Sequence, residues 1–525
     1  MTAADPHYLD NAATTPVDPA VIARMRECLG EEGGWFANPS AIAHEAGRAA
    51  AQRVALARTQ VAQLIGAAPS QIVFTSGATE ADNLAVLGTA RALAPQRRHL
   101  ISARTEHKAV LDAVRQLSRE GASVTWLQPE ADGRVSVQSV LAALRPDTAL
   151  VSLMHVNNET GGIQDIAGIG AACRSQGVVF HVDAAQSAGR LELDLAQLPV
   201  DLLSLSAHKM HGPKGIGALF VRAGARAPLI PLMFGGGQES GLRPGTLPTH
   251  QIAGFGLACE LAGAALHSDA ARMTRWRDEL WSHLESLEGV TINGGKAPRV
   301  PHILNVSFDG VDGESLMSAL PGLAVSTGAA CNSALGEPSY VLRALGRTVR
   351  QAESALRFSF GRFTTAADIA AAAALVRQAV QRLRAISPAA TVTPQLQTPL
   401  AVQADTLAPL AQELFSRQAG AGVLLGGTGT VLRGEAGEAS GEVWVRLHLR
   451  VHDDTVIEAR FQALGCPHTV AAASWLTQQL VGRSRSQAQP GPPAAWARTL
   501  AVPVEKLGRL LIIEDALHKA LQDWP

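Results

Sequence analysis

A lysine beside two polar residues follows an apolar segment in the middle of the chain. Residues 200–205 predict a buried strand, and Ser206, His208 and Lys209 come directly after it. An amine at a strand end can bind an aldehyde covalently, and small polar groups near it can bind a phosphate. The pattern indicates a site for pyridoxal phosphate (PLP), although a lysine after a buried strand is also common where no cofactor binds.

A second predicted strand ends in a carboxylate. Residues 178–182 predict a short buried strand, followed by Asp183 and, three residues later, Gln186. A carboxylate beneath the ring nitrogen of PLP keeps that nitrogen protonated, and Gln186 can donate to the phenolic oxygen. The alternative for Asp183 is an ordinary helix N-cap.

Two further strand ends carry polar residues. Residues 72–74 predict a strand, and residues 75–80 (Thr-Ser-Gly-Ala-Thr-Glu) open a helical pattern whose free N–H groups and dipole favour a phosphate. A capped helix without a ligand is the alternative. Asn158 follows the strand predicted for residues 149–154. Because ligands of open α/β sheets bind at the carboxyl ends of strands, we expect these residues to meet at one site.

Residues 7 to 385 resemble the cysteine desulfurases of the NifS/IscS type, in the class V aminotransferase superfamily. The matching stretches follow the family's order: 8–15, 38–40, 75–80, 105–108, 156–161, 181–186, 206–217, 243–246 and 326–345. The resemblance implies the α/β fold called PLP-dependent transferase fold type I. That fold has a mostly parallel sheet with helices on both faces and a small C-terminal α/β subdomain.

The resemblance also implies a role for each side chain. Lys209 would bind PLP covalently, with Asp183 at the ring nitrogen and Gln186 at the phenolic oxygen. His107 would stack on the ring and transfer a proton. The remaining cofactor ligands would be Thr79, Ser206, His208, Asn158 and Thr246.

Two of these implications concern partners. In the family, the threonine at the position of Thr246 comes from a second subunit, so the resemblance implies a homodimer. The substrate would be L-cysteine, and its carboxylate would be bound by Arg357, Asn158 and Asn38, since a guanidinium fork suits a planar carboxylate.

The presence of Cys331 distinguishes a cysteine desulfurase from a transaminase. It lies among small residues without apolar periodicity, which is typical of a mobile loop. The resemblance implies that its thiolate attacks the sulfur of cofactor-bound cysteine, which yields alanine and a persulfide on Cys331. A PLP lyase acting on selenocysteine is the alternative. Cys28, Cys173 and Cys259 lie in helical patterns and are predicted to be small buried apolar residues.

Length and composition predict more than one domain. Strand and helix patterns alternate from about residue 70 to 225. We predict a desulfurase domain over residues 1–385, a linker rich in Pro, Thr and Gln over 386–405, and a second, α+β domain over 406–525. A net charge of −1 gives no indication of nucleic acid, and no apolar run is long enough to span a membrane. With no signal peptide and only five cysteines, the sequence predicts a cytoplasmic protein.

The second domain contains a predicted hairpin followed by a cysteine. Residues 443–451 alternate apolar and polar side chains, which predicts a half-exposed strand, and residues 456–463 predict its partner. Cys466 follows, at the start of a predicted helix whose dipole would lower the pKa of the thiol. Residues 415–525 resemble the IscU/NifU iron–sulfur scaffold proteins, a fold that the SufE-type sulfur acceptors share.

This second resemblance is incomplete at the residues that bind a cluster. The scaffold family uses three cysteines and an aspartate, but here Ser440 and Arg509 stand at two cysteine positions, Glu442 at the aspartate, and Gly508 where a histidine is usual. Cys466 alone cannot supply the four ligands of a cluster, so no metal site is predicted. Three interpretations stay open: a sulfur acceptor at Cys466, a docking or dimer-stabilising module, and a metal site shared between subunits. The sulfur would pass to an iron–sulfur scaffold or to another acceptor protein.

Overall fold

A computed structural model of the chain describes residues 6–31, 35–94, 96–224, 227–295, 297–327, 338–386, 407–424, 427–438, 443–489 and 491–524. Cys331, Ser440, Glu442 and nearly all of the predicted linker lie outside the described residues. The boundaries predicted for the domains therefore stay a prediction.

The strands are β1 (His7–Tyr8), β2 (Ile72–Thr75), β3 (His99–Ala103), β4 (Ser123–Leu127), β5 (Thr148–Met154), β6 (Val179–Asp183), β7 (Leu202–Ser206), β8 (Gly217–Val221), β9 (Val290–Ile292), β10 (Ile303–Phe308), β11 (Leu323–Ala324), β12 (Ala355–Ser359), β13 (Thr430–Gly437), β14 (Trp444–His452) and β15 (Thr455–Leu464).

The helices are α1 (Pro19–Glu27), α2 (Glu45–Leu64), α3 (Ala78–Leu93), α4 (Lys108–Arg119), α5 (Val137–Ala143), α6 (Ile166–Ser175), α7 (Thr249–Leu284), α8 (Gly313–Ser318), α9 (Tyr340–Ala344), α10 (Val349–Glu353), α11 (Ala366–Ile386), α12 (Pro409–Arg417), α13 (Pro467–Leu480), α14 (Pro493–Leu500) and α15 (Leu507–Gln522).

A seven-stranded sheet forms the centre of the first domain, in the order β2-β8-β7-β6-β5-β3-β4. Its strands are parallel except β8, which runs antiparallel to both of its neighbours. Strands β5, β6 and β7 are buried along their whole length, as expected of apolar strands covered on both faces. Separate apolar cores lie on the two faces, one including α2, α6 and α7 and the other including α3 and α4. The sheet places the carboxyl ends of β5, β6 and β7 side by side.

A three-stranded sheet, β12-β10-β9, forms the small subdomain. The long helix α7 leads into it from the large sheet and α11 closes it. Helix α7 begins at Thr249, and its first turns are buried by packing on α1 and α2. Strand β12 positions Arg357 beside the large sheet.

The C-terminal domain contains an antiparallel sheet, β13-β14-β15, with α13 and α15 packed against it. The predicted hairpin is confirmed, and its turn residues Asp453 and Asp454 both have positive φ, as a tight hairpin turn requires. The prediction that β14 is half exposed is wrong, since His448 and Arg450 on its second face are 4% and 6% exposed. The backbone at Gly427 lies against the Arg450 guanidinium and covers this part of the face.

The two domains share an apolar core. One continuous cluster of buried side chains joins α7, α8 and α11 of the first domain to the sheet and helices of the second. Ion pairs border the contact: Arg382 binds Glu514 and Asp515, each over 2.9 Å. Among the described residues, no helix is both long and apolar enough to cross a membrane.

Candidate functional site

A pocket of about 560 Å³ lies at the carboxyl ends of the central strands. Nine of the predicted site residues line it: Thr79, His107, Asn158, Asp183, Gln186, Ser206, His208, Lys209 and Arg357. These residues come from six different segments of the chain, so the sheet topology is what brings them together.

Lys209 ends a single 3₁₀ turn that follows β7 directly. Its Nζ donates to the carbonyls of Ala12 and Ala13 over 2.5 and 2.8 Å. The two carbonyls hold the amine at the wall of the pocket. That arrangement suits an amine that must react with an aldehyde.

Asp183 is the last residue of β6 and is 6% exposed. Its Oδ1 accepts from the backbone N–H of Ala185 over 2.9 Å. Burial raises the pKa of Asp183, while the charges of His107 and Lys209 act to lower it. A cationic ring nitrogen placed against this carboxylate would compensate for the burial of its charge.

The opposite end of the pocket is built for an anion. Helix α3 begins at Gly77 without a side-chain cap, and a Cβ atom added there would meet nothing within 4 Å. Its first N–H groups are therefore open to a ligand, with the Thr79, Ser206 and His208 side chains around them. Burial and the charges of Lys209 and Lys214 lower the pKa of His208 to about 4, so the imidazole is neutral at pH 7.

Arg357 closes the substrate side of the pocket. Its guanidinium binds the Asp10 carboxylate and the Asn158 carbonyl, each over 2.8 Å, and the residue is 3% exposed. Within the described part of the chain, the Nε of Arg357 and the Oδ1 of Asn158 have no hydrogen-bond partner although both are buried. Buried polar atoms of this kind are normally satisfied, so the two atoms fit a polar ligand in the pocket.

These residues fit PLP: the pocket holds an amine, a buried carboxylate, an open helix N-terminus and unsatisfied polar atoms. When bound, PLP supplies the electron sink that stabilises negative charge on the substrate carbon. Lys209 would hold it covalently, Asp183 would bind its ring nitrogen, and the start of α3 would bind its phosphate.

Two predicted residues lie elsewhere. Thr246 lines a separate hollow of about 150 Å³ with Thr75 and Arg243. Asn38 is exposed, and its Oδ1 accepts from the Ser40 N–H over 2.9 Å. Cys331 lies outside the described residues.

The structure adds a residue that the sequence analysis missed. Asp82 lies on α3, lines the pocket with Asp183 and is 1% exposed. Its Oδ1 lies 3.6 Å from His181 Nε2, and burial followed by the Asp183 charge raises its pKa well above the usual range.

The other cysteines fall into two groups. Cys28, Cys173 and Cys259 are buried as predicted, and burial raises the pKa of Cys173 to about 12. Cys466 is partly exposed at the N-cap of α13, with its Sγ 3.6 Å from the Thr469 hydroxyl. Burial acts to raise the pKa of Cys466, but hydrogen bonds from His468 and Thr469 and the charge of Arg509 lower it to about 6.

A cleft of about 1110 Å³ lies between the two domains. Ser326, Thr327, Pro338 and Ser339 line its first wall, and Glu438 and Val443 line the second. The first four residues flank the segment 328–337, which contains Cys331. No group of three or more His, Cys, Asp or Glu side chains in the described ranges is arranged to bind a metal ion.

Comparisons with known proteins match both parts of the chain. Residues 7–371 match the family described as aminotransferase class V, and residues 418–525 match the NifU-like N-terminal domain. Cysteine desulfurase IscS of Pectobacterium atrosepticum is 54% identical over 383 residues, which are 73% of this chain and 95% of that protein. Cysteine desulfurase IscS of Vibrio cholerae is 55% identical over the same length and the same shares.

Solved structures give the same result for the first domain. A NifS-like protein superposes with a TM-score of 0.65 at 34% identity, covering 72% of this chain and 99% of that one. The structure of SspA in complex with cysteine matches with a TM-score of 0.61 at 38% identity, covering 68% and 99%. DndA from Streptomyces lividans matches with a TM-score of 0.58 at 41% identity, covering 67% and 99%.

Proposed function

The chain belongs to the class V aminotransferase family and is a PLP-dependent cysteine desulfurase, and on this premise we propose that Cys466 accepts the sulfur that the first domain releases from L-cysteine. Cys331 is the proposed nucleophile that first takes up this sulfur. The C-terminal domain then carries the sulfur onward for iron–sulfur cluster assembly or another thiolation pathway.

The side chains that line the pocket have different roles at the desulfurase site. Arg357 binds and orients the carboxylate of cysteine, with Asn158 beside it. Lys209 and His107 are the groups that move protons near the substrate carbon and amine. Asp183, which is buried at the end of β6, would bind the ring nitrogen of the cofactor.

One observation carries the proposed transfer between domains: residues flanking the segment with Cys331 line both cavities. Tyr340 lines the cofactor pocket, and its hydroxyl donates to the Glu106 carbonyl over 2.7 Å. Its neighbour Ser339 lines the interdomain cleft, while its hydroxyl donates to Glu159 of the cofactor pocket over 2.5 Å. Described residues next to the segment that contains Cys331 therefore line both cavities.

The transfer itself needs no oxidant or reductant. The Cys466 thiolate attacks the outer sulfur of the Cys331 persulfide and forms a new S–S bond. The old S–S bond breaks, and its electron pair goes to the Cys331 sulfur, which becomes a thiolate and takes up a proton. A pKa of about 6 makes Cys466 largely thiolate at pH 7, whereas a free thiol would be only a few per cent ionised.

We also propose that the protein is a cytoplasmic homodimer. Thr246 lies outside the pocket of its own chain, and Phe234 is 85% exposed with Met233 beside it at 45%. A second subunit would cover these apolar side chains. Light scattering on the purified protein measures the subunit number directly.

Trapping of the sulfur tests the acceptor role. Protein treated with ³⁵S-labelled L-cysteine should carry label on Cys331 and Cys466 in peptide-resolved analysis. Cys331→Ser should remove the label from both positions, and Cys466→Ser should leave it on Cys331. Cys173→Ser is the matched control, since that thiol is buried. Label confined to Cys331 in the unmodified protein would instead assign the C-terminal domain a docking role.

A further inference from the structure

A row of buried polar side chains crosses the central sheet next to Asp183. His181 lies two residues before Asp183 in β6, so the two side chains point to the same face of the sheet. The Nδ1 of His181 lies 2.8 Å from the Ser152 hydroxyl of β5, and its Nε2 lies 2.9 Å from the Ser204 hydroxyl of β7. Both ring nitrogens of this buried imidazole therefore have hydroxyl groups as partners.

Asp82 approaches this row from the helix that covers it. Helix α3 packs on β5, β6 and β7, and the Oδ1 of Asp82 lies 3.6 Å from His181 Nε2. The hydroxyl on that nitrogen belongs to Ser204, which is the register partner of Asp183 on a strand about 5 Å away. Asp82 is thus linked to Asp183 through His181 and Ser204, and both carboxyl groups line the cofactor pocket.

These contacts do not compensate a negative charge on Asp82. Both of its carboxyl oxygens are buried and have no hydrogen-bond partner among the described residues. Burial lowers the pKa of His181 to about 3, so the imidazole is neutral at pH 7 and supplies no positive charge. Burial raises the pKa of Asp82 by more than the Ser204 hydroxyl lowers it. Because an ionised carboxylate without partners is costly to bury, the geometry favours the neutral acid.

Two cations and a third carboxyl group also act on this pair of acids. Burial raises the pKa of Asp183, and the charges of His107 and Lys209 act against it. Burial likewise raises the pKa of Glu106 well above its usual range, and a charge on Glu106 would raise the pKa of Asp82 further. The positive charges therefore favour one ionised carboxylate, at Asp183.

We propose that Asp82 is a positioning residue that shares one negative charge with Asp183: Asp183 carries the charge at the cofactor ring, and Asp82 stays a protonated acid. An ionised Asp82 would repel the Asp183 carboxylate, and a buried pair of like charges is avoided when one member keeps its proton. The proton on Asp82 thus keeps the negative charge at the end of β6, where Asp183 would meet the ring nitrogen. This inference goes beyond the proposed transfer to Cys466 and concerns the cofactor pocket alone.

Infrared spectroscopy of the full protein loaded with PLP tests the protonation of Asp82. Labelling the aspartate carboxyl groups with ¹³C separates their carbonyl stretch from that of protonated glutamic acids such as Glu106. At pH 7 we expect an isotope-shifted band of a protonated aspartic acid, which Asp82→Asn removes. Asp112→Asn is the matched control, because Asp112 is exposed on α4 and pairs with Arg115, and it should leave the band in place. A spectrum without an Asp82-dependent band would overturn the proposal.

Asp183→Asn tests whether the two acids share one charge. This comparison uses the full protein freed of cofactor, so that the charge of the ring nitrogen does not enter. In an alkaline titration the Asp82 band should disappear at a pH about one unit lower in Asp183→Asn than in the unmodified protein, because a like charge has been removed. A band that persists to the same pH in both proteins would mean that Asp82 does not sense Asp183, which also overturns the proposal.

Folding and turnover are separated from this readout. If Asp82→Asn does not fold, as judged by circular dichroism, Asp82→Glu in the aspartate-labelled protein removes the label from this position while keeping a carboxyl group. Loss of the labelled band in Asp82→Glu supports the proposal, and its persistence overturns it. The band does not depend on Cys466 or on sulfur transfer, so failure of the acceptor role would leave this test unchanged.

Discussion

The cofactor pocket and the Cys466 site hold their reactive groups by different means. In the pocket, reactive side chains lie at strand ends of a covered sheet, and nine of the residues predicted from the resemblance line one cavity. At Cys466, the thiol lies at the N-terminus of α13, with its Sγ 3.6 Å from the Thr469 hydroxyl. The comparison shows that the pocket is assembled from several segments of the chain by the sheet, whereas the Cys466 thiol is held by the first turn of one helix.

The largest expected effect is at Lys209. Lys209→Ala should remove the visible absorbance of bound cofactor and all alanine formation, because Lys209 is the amine proposed to bind the cofactor covalently. Lys214→Ala is the matched control, since Lys214 lines the same pocket but is exposed and should leave the absorbance in place. If the absorbance survived in Lys209→Ala and was lost in Lys214→Ala, the cofactor would be bound covalently by Lys214 and not by the lysine at the end of β7.

A smaller effect is expected at the domain contact. Gly508→Ala should lower the free energy of unfolding by about 1–3 kcal/mol, because the new methyl group meets the Ser315 backbone. Urea unfolding measured by tryptophan fluorescence gives the value. Gly263→Ala is the control on α7, where a Cβ atom has only an ordinary contact at 3.6 Å and the substitution should stabilise the helix by about 0.5–1 kcal/mol. An unchanged free energy of unfolding in Gly508→Ala would show that α8 and α15 separate easily.

The smallest effect is expected at Arg382. Its pairs with Glu514 and Asp515 are partly exposed, so Arg382→Ala should cost about 1 kcal/mol or less and the loss should shrink in high salt. Arg417→Ala, which breaks only an exposed pair within α12, should change stability less. A loss of several kcal/mol at Arg382 would make the ion pairs, and not the apolar core, the main attachment of the C-terminal domain.

The sequence was most informative where a local pattern of apolar and polar residues also marks a residue of the cofactor pocket. The apolar strands ending at Asp183 and Ser206 and the glycine turn before α3 could be predicted because short apolar segments end in polar residues. The hairpin could be predicted because two alternating segments flank Asp453 and Asp454.

Features that depend on distant contacts could not be predicted. Arg450 is buried where its guanidinium meets the backbone at Gly427, and no periodicity in the sequence connects that glycine to β14. Asp82 becomes part of the pocket only when α3 packs on the sheet. The pairing of Arg509 with Glu314 joins residues 195 positions apart, and a charged side chain at a former cysteine position gives no indication of its partner.

The continuous apolar core has a consequence for heat denaturation and for truncation. Helices α8 and α11 bury apolar side chains against the C-terminal helices, so the two domains should melt in a single calorimetric transition. A chain shortened to end at residue 386 would expose that surface to solvent, and it would be prone to aggregate although its catalytic residues were intact. The C-terminal domain thus acts as a structural cover for the enzyme to which it is joined.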